Sequence, residues 1–216
     1  MTRSHRPILF AALAATLFLG ACQSMYMSTM ESLGYEKREL LVEEVIDGRD
    51  DQQDAKEQFQ TALEAFKAVA DFDGGDLEAV YNRLADELES CEGRAAAVSG
   101  QIEDIEHTAD ALFDEWRSEL HQFTDASMRA DSERKLKETE RAYDDLLASM
   151  RKASAAMEPV LDAFRNQVLY LKHSLNAAAI ASLEGKVVEM ESNIAELVAD
   201  MEASIAEADA FISTLG

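Results

Sequence analysis

Apolar positions recur along most of this chain with the average spacing of 3.5 residues that marks supercoiled helices. The clearest run is Leu84, Leu88, Cys91, Ala95, Val98, Ile102, Ile105, Ala109, Leu112 and Trp116, in alternating steps of four and three. Steps of that kind draw one apolar stripe down a helix and pack it against neighbours in a left-handed supercoil. A similar seam precedes it at Leu41, Val45, Ala55, Phe59, Ala62, Phe66 and Val69, with Gly48 and Gln52 as weak places. Ser28-Thr-Met-Glu31 has the spacing of a capping box, so a first helix is predicted from Ser28 to the region of Asp71. It ends at Asp71-Phe72-Asp73-Gly74-Gly75-Asp76, where paired glycines break the helix and an aspartate is placed to cap the next.

The phase of helix two is lost near residues 124–132, which contain neither Gly nor Pro to mark a turn. Beyond it Leu136, Tyr143, Met150, Met157, Phe164 and Leu171 recur every seven residues, with Leu147, Leu161, Val168 and Leu175 between them. Pro159 falls inside this third helix, where it removes a hydrogen bond and is expected to kink the rod. The phase slips again at Asn176. A last seam follows at Leu183, Val187, Met190, Ile194, Leu197, Met201 and Ile205, fading towards Phe211 and Ile212. The predicted fold is all-α: a long antiparallel bundle of four helices with coiled-coil packing, each helix ~55–70 Å long. The alternative fuses helices two and three into one rod of about 95 residues, which leaves more of the seam exposed.

Composition narrows the picture further. With 2 Pro and 9 Gly in 216 residues, a β-rich fold lacks its turns. The N-terminal stretch reads differently from the rest. Arg3, His5 and Arg6 precede a nearly continuous apolar run from Ile8 to Leu19, the order of a secretory signal and too short to span a membrane. The run ends Leu19-Gly20-Ala21-Cys22, which resembles the bacterial lipobox, whose cysteine carries a diacylglycerol after cleavage. Residues 1–21 are therefore expected to be a lipoprotein signal peptide, 22–27 a lipidated tether, and 28–216 a single helical domain. By resemblance to enterobacterial lipoproteins, Gln23 in place of Asp implies the outer membrane, on its periplasmic face. Cleavage would remove Arg3 and Arg6 and no acid, taking the formal charge from −23 to −25. So acidic a surface repels phosphate backbones, and a nucleic-acid partner is not expected.

Candidate chemistry is sparse. With Cys22 lipidated, Cys91 is the one remaining thiol. Its seam position makes it a small buried hydrophobe, or an intermolecular disulfide if the seam faces a second copy. Counted as an EF-hand from Asp71, the 71–76 loop puts Gly75 at position 5, Asp76 at position 6 and Asn82 at position 12, and the register fails. His107, His121 and His173 each lie two residues off a seam, so they read as solvated side chains rather than ligands in a di-metal bundle. Ser132-Glu-Arg-Lys135 matches a Ser-x-x-Lys string without the companion motifs of acyl-transfer enzymes. No catalytic, cofactor or metal residue is nominated, and no enzyme is expected.

Five stretches carry a family resemblance: Ser28-Thr-Met-Glu-Ser-Leu-Gly-Tyr-Glu-Lys-Arg-Glu-Leu40, Phe72-Asp-Gly-Gly-Asp-Leu-Glu78, Met157-Glu-Pro-Val-Leu161, Val168-Leu-Tyr-Leu-Lys-His-Ser-Leu-Asn176 and Met201-Glu-Ala-Ser-Ile-Ala-Glu-Ala-Asp-Ala-Phe-Ile212. The chain resembles the Gram-negative lipoproteins grouped as domain of unknown function 2959. The resemblance implies a helical periplasmic lipoprotein and brings no active-site residues with it. Two roles follow from the sequence. One is a non-enzymatic envelope scaffold or interaction module, fastened to the membrane at Cys22 and pairing with itself or with another coiled-coil protein. The other is a carrier or chaperone-like binder of an apolar ligand or outer-membrane client, suggested by the seam methionines Met150, Met157, Met190 and Met201.

Overall fold

A computed structural model describes residues 37–74, 76–174 and 176–215 of the chain. They form four helices, α1 (Lys37–Ala70), α2 (Leu77–Glu119), α3 (Ala126–His173) and α4 (Ala177–Leu215). Each helix packs on the next and α4 closes against α1, giving an antiparallel four-helix bundle with one continuous core. The fused rod is thereby excluded. The expected helix start at Ser28 lies outside the described residues, as does Cys22.

The connections explain why the chain reverses three times. After α1, Gly74 adopts φ 142°, a backbone region closed to most side chains, and Asp76 caps α2 by accepting from the Ala79 amide at 3.1 Å. The second reversal comes at residues 120–125, earlier than the loss of phase near 124–132 suggests. There the amides of His121 and Gln122 donate to the carbonyls of Ser118 and Glu119, tightening the last turn of α2. Buried Leu120 fastens this corner to the core, and Asp125 starts α3 by accepting from the amides of Ser127 and Met128. A side-chain cap and an apolar plug thus do what Gly74 and the Asp76 cap do at the first turn. At the third turn the Asn176 carbonyl accepts from the Ile180 amide as α4 begins.

The seams supply the core nearly as the spacing predicts. Phe59, Phe66, Phe164 and Phe211 are fully buried, and Phe66 of α1 meets Phe164 of α3 edge-to-face across the bundle at 6.0 Å. Near the second turn Tyr143 of α3 lies between Phe113 of α2 and Phe211 of α4. Such ring pairs add about 0.5–1.5 kcal/mol each beyond area burial. Two seam assignments shift by one residue. On α3 it is Leu146 that is fully buried, while Leu147 is only partly so. On α4 Ser204 takes the core position in place of Ile205, and the seam continues through Ala208 and Phe211 to Leu215 instead of fading. Pro159 lies within α3 on an exposed face, so the carbonyl it leaves without a helical donor, that of exposed Ala155, is accessible to water.

Candidate functional site

The residues singled out in the sequence are dispersed. Cys91 is completely buried, and burial pushes its thiol up to about 12 despite a hydrogen bond with Gln58. A thiol so placed is inert and unavailable to a second copy while the bundle is closed. His107 within α2, His121 in the second connection and His173 at the end of α3 are all exposed. Among the described residues, no group of three or more His, Cys, Asp or Glu side chains is placed to hold a metal ion. Asp76 is occupied as a helix cap. The Ser132 hydroxyl accepts from the Trp116 indole at 2.8 Å, which ties α3 to α2, and Lys135 pairs with Asp131 on the surface.

The structure also reveals a level of the core that apolar spacing passes over. Gly48, Gln52 and Ser204 are all buried in seam positions. A Cβ on Gly48 would lie 2.8 Å from Met150 Cε and 2.9 Å from Ile105 Cδ1, so the missing side chain is the hole that receives these two knobs. One turn along, the Gln52 carboxamide is 1% exposed, and neither of its polar atoms finds a hydrogen-bond partner; the Ser204 hydroxyl is likewise unpartnered. The Arg49–Asp209 and Lys56–Glu202 ion pairs show the register of α1 against α4. Gln52 and Ser204 both lie between those two bridges, hence at about the same height in the bundle. Each unpartnered buried group costs about 1–3 kcal/mol.

Between α1 and α2 two glutamines find partners instead. Gln58 of α1 donates to the carboxylate of Glu87 at 2.7 Å and to its carbonyl at 3.5 Å. Gln101 of α2 does the same to Glu44 of α1, at 2.5 and 3.1 Å. The two clamps are two heptads apart and related by the pseudo-twofold of the hairpin. Burial raises the Glu44 carboxyl above its ordinary value. The Gln101 hydrogen bond opposes that rise, and the charges of Asp104, Asp47 and Glu43 reinforce it.

Outside, charge is distributed unevenly. α2 carries three basic residues against twelve acids, and α4 one against eight, while α3 has nine against eight. Much of that basic charge reaches to neighbouring helices: Arg151 pairs with Glu106, Arg165 with Glu92 and Lys152 with Asp200. Three carboxylates, Glu92, Glu158 and Asp162, hydrogen-bond to Arg165 and hold its guanidinium firmly protonated. Exposed pairs add little stability individually. Together they draw α3 towards its acidic neighbours. The outward faces of α2 and α4 stay strongly negative. No helix among the described residues is long and apolar enough to cross a membrane.

The family described as "Protein of unknown function (DUF2959)" matches residues 26–215. The chain belongs to that family. The match takes in all four helices of the bundle. No curated protein and no solved structure matches the chain.

Proposed function

We propose that this DUF2959 protein is a non-enzymatic envelope lipoprotein. In this role a diacylglycerol on Cys22 fastens a rigid acidic bundle to the periplasmic face of the outer membrane, where it scaffolds or spaces other components. The observation that carries the reading is the division of labour in the bundle. Its seams close one core, and what faces outward is mostly polar and charged. The Leu19-Gly20-Ala21-Cys22 run supports the anchor. The carrier alternative draws on the seam methionines, but Met150, Met157, Met190 and Met201 are 0–3% exposed and have no surface left for a client.

Incorporation of labelled palmitate into the wild-type chain and not into Cys22→Ser tests the anchor. A photocrosslinker at exposed Glu103 or Asp110 of α2, used in intact cells, tests the scaffold. Adducts with one or a few envelope components, or with a second copy, are expected. Absence of any specific adduct from a series of positions around α2 and α4 would contradict the reading.

A further inference from the structure

Between the C-terminal half of α3 and the N-terminal half of α4 runs a surface groove of about 370 Å³, opening beside Pro159. It is a polar groove whose charged side chains are all engaged in ion pairs. Asp162 on its edge is held by Arg165 at 3.0 Å, and Lys186 is held by Glu189 at 2.8 Å. What remains without a partner is a set of carboxamides. The side chains of Asn166 and Gln167 on α3 and of Asn193 on α4 line the groove and make no hydrogen bond among the described residues. Tyr170 follows on α3, one turn beyond Asn166 and Gln167 and so on the same side of the helix, with 47% of its surface exposed.

Each of these features constrains the ligand. The carboxylates Asp162 and Glu189 repel an anion, and the two cations beside them, Arg165 and Lys186, are already held in ion pairs. A carboxamide presents a donor and an acceptor side by side, which matches a hydroxyl group or a peptide unit. An extended peptide also needs pockets for alternate side chains, and the apolar part of the lining offers only small patches at Pro159, Ala163 and Met190. An exposed phenol beside carboxamides suits the face of a sugar ring, whose C–H groups lie flat on an aromatic surface while its hydroxyls reach sideways. A volume of about 370 Å³ is at the small end of ligand sites and has room for a short run of such rings.

We propose that the α3–α4 groove binds a neutral glycan segment, with Asn166, Gln167 and Asn193 hydrogen-bonding its hydroxyls and Tyr170 stacking on one ring. The site is independent of the lipid anchor: a chain without lipid binds the sugar equally, so failure of one idea leaves the other standing.

Saturation-transfer difference NMR on the full chain in detergent, with empty micelles as control, tests it. The probes are chitotetraose, cellotetraose, maltotetraose and, as the competing class, tetra-alanine. Transfer to at least one oligosaccharide is expected, with affinity falling about threefold to tenfold in Gln167→Ala, Asn193→Ala and Tyr170→Ala, the loss of one hydrogen bond or one stacking contact. Circular dichroism should show unchanged helicity in these surface variants. A readout that needs no variant is amide exchange of the wild type, which a saturating sugar should slow in residues 159–170 and 186–193. No transfer to any of the three sugars, transfer to the peptide alone, or sugar binding indifferent to all three substitutions would overturn the proposal.

Discussion

Two levels of the same core, both centred on α1, are built by opposite means. At Phe59 and Phe66 the interior is filled by large rings, and Phe66 meets Phe164 across the bundle. At Gly48 and Gln52 it is filled by the absence of one side chain and by an amide that finds no partner. The first level supplies burial energy. The second gives some of it up, and gains a shape that only the observed register satisfies: Met150 and Ile105 fit over Gly48, and Ser204 comes to the height of Gln52. A slip of α1 by one heptad would set Gln52 where an aromatic or aliphatic layer now sits. Polar seam residues that fix register at a cost in stability are known from coiled coils. The same logic accounts for a four-helix bundle that must choose one alignment among several with similar seams.

The contrast can be broken most forcefully at the aromatic level. Phe66→Ala should lower unfolding free energy by about 3–5 kcal/mol in urea titrations, since it leaves a ring-sized cavity against Phe164. At the glycine, Gly48→Val should cost about 1–3 kcal/mol, because both Met150 and Ile105 must give way. Gly48→Ala should change little: its helix propensity gain of about 1 kcal/mol offsets contacts with two side-chain tips. A neutral Gly48→Val would show that this level is loosely packed and refute the account of the hole.

A smaller effect belongs to pH. The Glu44 carboxyl lies above its ordinary 4.5 in the folded chain. The folded state therefore holds that proton more tightly than the unfolded chain does. Stability falls as pH rises through the interval above 4.5 and stays lowered at neutrality. Asp51, raised chiefly by burial, acts in the same direction. Thermal midpoints should therefore be higher near pH 5 than at pH 8, including in 0.5 M salt, a concentration chosen to screen long-range repulsion. Glu44→Gln keeps an acceptor for Gln101, and should raise the midpoint at pH 7 while leaving it unchanged at pH 4. An unchanged midpoint at pH 7 would count against burial as the cause.

How much of this was legible beforehand follows from volume and polarity. The seams of α1 and α2 could be read because Leu, Ile, Val and Phe mark them at nearly every step, and the first turn because two glycines announce it. The second turn was misplaced because its signals are a capping aspartate and a buried Leu120, neither of which stands out in an acidic helical sequence. Gly48 and Gln52 could be read only as weak places in the α1 seam, and Ser204 is passed over altogether, because hydropathy weighs what a side chain is, not the space it leaves. Yet Leu41, Val45, Gly48, Gln52, Ala55 and Phe59 keep the four-three step without a gap. Strict adherence to the period, with residue type ignored, makes Gly48 and Gln52 full core positions rather than weak places. On α4 the same rule carries the seam from Leu197 and Met201 through Ser204 to Ala208, and passes over the more apolar Ile205. The α3–α4 groove leaves no periodic trace, since it arises from polar residues on two helices that meet only in the fold.

The central claim is that the interior serves folding alone and that function lies on the outside of the bundle. The double variant Gln52→Leu/Ser204→Ala tests it most directly by urea unfolding of the full chain. If the two groups are unpartnered in an otherwise packed core, the variant should gain about 2–6 kcal/mol, roughly 1–3 for each group, with an unchanged m-value and unchanged helicity. A loss of stability of comparable size would mean that Gln52 and Ser204 hold something inside the bundle, and would turn the argument back towards a carrier.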